Sequence, residues 1–291
     1  VNVVVLHDSG LLGRVLLERL RERSLQVTPL LISRPESLSV EDLRACLPPG
    51  ADLVLNVLGA PDPVAAEADP EMARHMVFTL PLGLADYCSD HQAALVQLSS
   101  SYIFDGRKQS AYISSNPGHP FGQLGCWQWE CEQALRALLP RHIILRTGWM
   151  LEALVHRVLA LCDAGGTLSM PGRCRGQPVA LRDLARVLAA VVLQLECGAE
   201  VWGTYQYAGA EEVSLYELGQ AIVAQVGDRC KVNVVDAEAD WTRLEPANTA
   251  LGCIKIRNTF GIKQVPWRRE LPEEVRLVSA ARSAKTAPAG S

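Results

Sequence analysis

The sequence predicts an α/β fold: a doubly wound parallel sheet followed by a smaller, mixed C-terminal lobe. Three observations carry this. Short apolar runs alternate with amphipathic helical stretches over the first half. The first run ends in a glycine-containing turn that opens a helix. After Trp149 the alternation loses its regularity.

Taken in order, Val3–Leu6 is an all-apolar run, the signature of a strand buried on both faces. HDSGLLG (His7–Gly13) turns into a helix over Leu11–Arg23, with Leu12, Val15, Leu16 and Leu20 at helical spacing. Val27–Ile32 and Asp52–Val57 are strands two and three. Ala65–Ser89 is expected as one long helix kinked at Pro81. Ala94–Leu98 is strand four, Leu124–Leu138 a helix, and His142–Leu145 strand five. Beyond it come helices at Met150–Asp163 and Leu181–Glu196, a strand at Thr204–Ala208, and a helix Ser214–Val226 with Ser214 as N-cap. This divides the chain into residues 1–149, a Rossmann-like dinucleotide-binding domain, residues 150–278, a smaller substrate-type lobe, and an Ala/Ser/Pro-rich tail, 279–291, expected to be disordered.

Composition excludes several classes. The 291 residues are 48% hydrophobic, ample for a core, and the net charge of −4 with no basic stripe gives no reason to expect nucleic acid. No apolar run approaches a membrane span, and the strand-like opening is not the pattern of a signal peptide. The nine cysteines are irregularly spaced without CxxC, so neither disulfides nor a metal site is expected, and a cytoplasmic, reducing compartment fits.

The turn after strand one is a candidate anion site, because backbone N–H groups and the helix dipole point at whatever lies there. Gly10, Leu12 and Gly13 fit a GxxGxxG pattern as cofactor-binding residues, but His7 replaces the first glycine, where a side chain at positive φ would be costly. The alternative for both glycines is close helix–strand packing. Arg34, after strand two, stands where a 2′-phosphate would be read, which favours NADP(H), or is a solvated loop arginine.

The motifs become specific at Ser99–Gly106 (SSSYIFDG). Asp52–Ala73, Leu145–Trp149 (LRTGW), Gly176–Val179 with Arg182–Ala185, and Pro246–Leu251 follow the same pattern in order. Together they resemble the dTDP-4-dehydrorhamnose reductase family of extended short-chain dehydrogenases/reductases, over roughly residues 1–275. The resemblance implies an NADP domain plus a nucleotide-sugar lobe, with a Ser/Thr, a Tyr and a Lys doing the chemistry. The tyrosine gives a proton to the substrate carbonyl as hydride arrives, and the lysine holds the cofactor ribose and lowers the tyrosine pKa.

Carried over residue by residue, Ser100 keeps the hydroxyl. With Pro120, Gly125 and Glu132 as anchors of P-x-x-x-Y-G-x-x-K-x-x-x-E, Leu124 falls on the tyrosine and Gln128 on the lysine. Reading Phe121-Gly122 as Tyr-Gly puts Gly125 at the lysine and fails as well. No tyrosine occurs between Tyr112 and Tyr205 and no lysine between Lys108 and Lys231, so the loss does not depend on alignment. Val77 replaces an asparagine, Glu245 stands before Pro246 where an arginine is typical, and Gly252 replaces an acid. Tyr102, Trp149 and Arg175 are retained as substrate-type pocket residues, Trp149 with core packing as its alternative. Cys126, Cys131, Glu130 and Tyr102 are nearest for substitute chemistry, with no paired histidine. Trp127 and Trp129 would cap the old nicotinamide pocket, form a partner surface, or pack. His75, His91, His142 and His156 are isolated, and the Arg173–Arg175 loop is a candidate phosphate contact.

Three functions stay open. The leading one is a non-catalytic family member, a pseudoenzyme acting as a regulatory, scaffold or nucleotide-binding protein, with a protein partner or a second copy of itself. The others are an NADP-dependent 4-keto nucleotide-sugar reductase, and an NADP(H) sensor without turnover.

Overall fold

The computed structural model describes residues 1–162 and 164–286. In chain order the elements are β1 (Val3–His7), α1 (Leu11–Glu22), β2 (Val27–Leu31), α2 (Val40–Cys46), β3 (Leu53–Asn56), α3 (Pro63–Ala68), α4 (Pro70–Arg74), α5 (Leu80–Asp90), β4 (Ala94–Ser100), α6 (Gln123–Leu138), β5 (His142–Thr147), α7 (Leu151–Cys162), β6 (Gly166–Ser169), β7 (Arg175–Gly176), α8 (Leu181–Glu196), β8 (Gly203–Tyr207), β9 (Val213–Ser214), α9 (Leu215–Val226), β10 (Val232–Val235), α10 (Ile254–Phe260) and α11 (Trp267–Thr286).

Six parallel strands form the central sheet in the order β2-β1-β3-β4-β5-β8. The central strands are continuous apolar runs because helices cover both faces. Val15, Leu16 and Leu20 of α1 and the apolar stripe of α8 bury one face. Leu43 of α2, Leu80 and Leu84 of α5 and Leu135 of α6 bury the other. Each such Val or Leu contributes about 1.5–3 kcal/mol relative to exposure. A second core joins α7, α9 and α11 around Met170, Leu218 and Trp267, beside the parallel pair β6–β10. Ser214 caps α9 in a reciprocal capping box with Glu217.

Several expectations are corrected. The helix expected over Ala65–Ser89 is three helices and a π turn. Asp62 and Asp69 each cap a new helix whose first residue is a proline, Pro63 and Pro70. From Pro70 to Asp90 the backbone stays helical, and the π turn His75–Thr79 lies just before Pro81, where the missing proline N–H interrupts the regular hydrogen-bond ladder. Strand β8 pairs with β5 and α8 packs on α1, so the sheet draws on both sides of the 149/150 division. Residues 279–286 continue α11, anchored by Leu271, Val275 and Val278 and favoured by alanine's helix propensity, rather than forming a tail; residues 287–291, like Asp163, lie outside the described residues. Cys162, ending α7, forms a disulfide with Cys230, which precedes β10, because β10 returns alongside β6.

One buried ion pair fixes how α6 lies on the sheet. Arg146 on β5 and Glu132 on α6 are 1% and 2% exposed and meet at 2.6 Å. Ser99 Oγ on β4 donates to the same carboxylate at 2.7 Å, and Arg136 adds a contact at 2.6 Å. Breaking such a pair from one side leaves a buried charge and costs about 3–5 kcal/mol. Glu132→Ala should therefore lower unfolding free energy by about that amount in urea titrations, whereas the exposed pair Arg44–Asp90 should cost under about 1 kcal/mol on Asp90→Ala.

Candidate ligand site

The carboxyl ends of β1, β3, β4 and β5 open into a cavity of about 380 Å3, closed from the far side by Trp149, Arg157 of α7, Trp241 and Glu245. Gly10, Leu12, Ser100, Tyr102, Leu124, Gln128 and Trp149 all line it. These expected site residues converge. Arg34 and Arg175 do not line it. Arg34 is solvent-exposed, 3.6 Å from Glu36, and Arg175 is exposed on β7, which pairs with β9.

The corner that holds Ser100, Leu124 and Gln128 is built by α6. Its N-terminus receives Glu67 Oε1, which accepts from Gln123 N at 2.7 Å. Gly125 lets the helix press on the turn after β4; a Cβ there would lie 2.1 Å from Tyr102 O. That approach sets Gln128 above Ser100, whose Oγ donates to Gln128 Oε1 at 2.5 Å and accepts from Tyr102 N at 3.2 Å. Leu124 is 3% exposed and packs with Ala66, Ala73 and Val77. The two positions expected to carry Tyr and Asn therefore hold an apolar plug. A serine hydroxyl held by a neutral amide has no neighbouring cation to tune it.

The nearby substitutes do not supply the missing chemistry. Tyr102 donates its O–H to Glu245 Oε1 at 2.7 Å, and burial, reinforced by that carboxylate, pushes its pKa well above the usual phenol range. Burial pushes the Cys131 thiol up to about 12, and raises that of Cys126. Trp127 and Trp129 stand outside the cavity wall. Trp127 packs against Phe78 under Arg74, and Trp129 packs against Arg136, Arg146 and Gly118. The Arg173 guanidinium of the candidate phosphate loop is taken by Glu238 and by the Glu245 carbonyl.

The turn after β1 differs from the sequence expectation in two ways. His7 ends β1 and is not among the residues at positive φ, so its side chain costs no backbone strain. Gly13 is there for packing, since a Cβ would lie 2.5 Å from His7 Cβ. The residue sequence reasoning missed is Asp8. Its Oδ1 accepts from Gly10 N at 2.7 Å and its Oδ2 from Gly59 N at 2.9 Å, bridging the turns after β1 and β3. The Asp8 carboxylate adds a negative charge beside this turn, while α1 itself carries no side-chain cap and its Leu11 and Leu12 line the cavity. The signal was in HDSG: an acid two residues before a helix-opening glycine is an Asx-type cap.

The other missed residue is Glu245. It is 7% exposed, and burial raises its carboxyl to about 7 despite the Tyr102 donor and nearby Arg157. Among the described residues no group of three His, Cys, Asp or Glu side chains is placed to hold a metal, and no helix is long and apolar enough to cross a membrane.

A family profile described as the RmlD substrate binding domain matches residues 1–279. The chain is 32% identical over 200 residues to a dTDP-4-dehydrorhamnose reductase of Aggregatibacter actinomycetemcomitans, covering 65% of this chain and 68% of that one. It is 28% identical over 275 residues, 91% of each chain, to a probable dTDP-4,6-dihydroxy-2-methyloxan-3-one 4-ketoreductase of Streptomyces antibioticus. Among solved structures, a dTDP-4-dehydrorhamnose reductase of Clostridium acetobutylicum superposes with TM-score 0.78 at 21% identity, covering 96% of this chain and all of that one. One from Bacillus anthracis, in complex with NADP, gives 0.77 at 19% identity, covering 94% and 97%. At these identities the structures establish the fold.

Glu245 and Glu274 on α11 are both acids whose pKa burial raises, from 4.5 to about 7 and about 8. The folded state therefore holds protons that the unfolded chain has released, and stability falls as pH rises from 4.5 towards 8. Denaturation midpoints measured across that range should fall for the native chain, and Glu245→Gln should flatten the part of the decline below about pH 7.

Proposed function

The chain belongs to the RmlD substrate binding domain family, and on that premise we propose that it is a ligand-binding member that does not transfer hydride. It acts as a regulatory or scaffold protein, through a protein partner or a second copy of itself. The observation that carries this reading is the corner where Leu124 and Val77 form an apolar plug and Gln128 holds Ser100. Reduction of a carbonyl needs a proton donor whose pKa falls near the working pH. Leucine has no proton to give, glutamine has no charge to tune one, and the Tyr102 phenol is shifted the wrong way. Asp8 on the dinucleotide turn supports the same reading from the cofactor side.

A second reading is favoured by the relatives, whose names are those of reductases: an NADP-dependent reductase of a 4-keto nucleotide sugar. Its support in the cavity is Ser100 and the Tyr102 hydroxyl. The decisive measurement is NADPH oxidation with a dTDP-4-keto-6-deoxy sugar, run beside an active relative. No turnover above background is expected. Turnover abolished by Ser100→Ala would instead establish the reductase.

The same assay can ask what was lost. Leu124→Tyr with Gln128→Lys should not restore activity unless Asp8 is also replaced, because that carboxylate still holds the turn. Asp8→Asn alone, whose amide can accept from only one of the two N–H groups, should cost about 1 kcal/mol of stability, and it should raise the thermal shift produced by NADPH above that of the native chain. An equal, saturable NADPH shift in the native chain would favour a sensor that binds without turnover.

A further inference from the structure

The charged side chains of the cavity are mostly acidic. Its wall carries four carboxylates, Asp8, Asp62, Glu152 and Glu245, against the guanidinium of Arg157. Three of the four are engaged. Asp8 takes the Gly10 and Gly59 N–H groups, Asp62 caps α3 through Val64 N and Ala65 N, and Glu152 lies 3.7 Å from His156 Nε2. Arg157 lies 4.1 Å over the Trp241 ring.

Glu245 is different. Its Oε1 accepts from Tyr102, but its Oε2 is buried and makes no hydrogen bond of normal geometry, with the Trp149 indole N–H as a second, looser donor to the carboxylate. A carboxylate oxygen 7% exposed and unpaired is a costly arrangement that a ligand donor would relieve. The rings of Tyr102, Trp149 and Trp241 line the same space, and aromatic faces attract cations. The Trp149 indole N–H is itself buried without a hydrogen bond of normal geometry.

We propose that this cavity binds an organic ammonium ligand, an amine on a compact apolar body, whose N–H donates to Glu245 Oε2. The inference rests on the ligand-binding reading for there being an occupant, and it is independent of whether hydride transfer was lost. A cavity of about 380 Å3 accommodates a body of a dozen or so heavy atoms, within the usual range for small-molecule sites.

Ionisation of Glu245 sets a pH dependence. The groups facing it are Tyr102 from the turn after β4, Asp62 before α3, Arg157 on α7 and Trp149 after β5, with Arg173 and Cys174 on its backbone carbonyl. With its carboxyl raised to about 7, Glu245 is neutral in mildly acidic solution and charged above it. An ammonium probe stays protonated throughout, so its affinity should rise with pH.

The test is calorimetric titration of the full chain with phenethylammonium chloride, and with 3-phenylpropionate and dTDP as anionic counter-probes. Saturable ammonium binding is expected, about tenfold or more tighter than either anion. It should tighten several-fold between about pH 6 and about pH 8, and weaken about tenfold in Glu245→Gln, a variant of the same shape whose folding is checked by circular dichroism. An anion bound as tightly as the ammonium, no saturable ammonium binding, or an affinity unchanged by both pH and a folded Glu245→Gln would overturn the proposal. NADPH oxidation is not read here, so this failure and failure of the non-catalytic reading are separate results.

Discussion

The contact between Glu132 and Arg146 is what the site depends on. It is a charged pair with almost no solvent, and its remaining acceptor capacity is filled by Ser99 and Arg136. Such a pair tolerates little displacement, because any shift exposes an unpaired charge to a low-dielectric interior. It therefore locks one turn of α6 to β4 and β5. Everything one helical turn earlier follows: Gln128 stands over Ser100, and Leu124 one turn further meets Val77. The framework is rigid at this point because it holds the sheet together.

The residues of this corner come in matched sets. Leu124 and Val77 pack together in the plug. Gln128 satisfies the Ser100 hydroxyl that would otherwise be unpartnered. Asp8 satisfies two backbone donors at once, and Gly10 leaves it room, since a Cβ would lie 2.6 Å from Asp8 Oδ1. Each set is self-consistent, so replacing one member alone would leave a buried polar group without a partner. Glu245 is the exception, a buried acid with one oxygen unanswered.

Much of the fold was legible in the sequence because binary patterning dominates it. Val3–Leu6 and His142–Leu145 can be little other than covered strands, and helix Leu181–Glu196 was bounded to the residue. What was missed depends on partners remote in sequence. Nothing within Gly203–Tyr207 says it will complete the main sheet beside β5. The helix breaks at Asp62-Pro63 and Asp69-Pro70 were legible and outweighed by a continuous alanine-rich stretch. The Cys162–Cys230 bond needed the β6–β10 pairing to be known first. Sequence brought Ser100, Leu124 and Gln128 to one corner because they ride on one strand and one helix of fixed register. Arg34 is the solvated loop arginine of its alternative reading, and Arg175 lies outside the cavity. Sequence showed Glu245 only as a missing arginine, since neither its burial nor its tie to Tyr102, 143 residues away, can be read from a string.

The position of β8 has a consequence for how the chain acquires its structure. The sheet is open at that edge until residue 207 has been made, and α1, made well before it, finds its covering partner only in α8. Between these events the growing chain presents the β5 edge and the apolar side of α1 to its surroundings. Long-range closure of this kind slows folding and leaves sticky intermediates exposed.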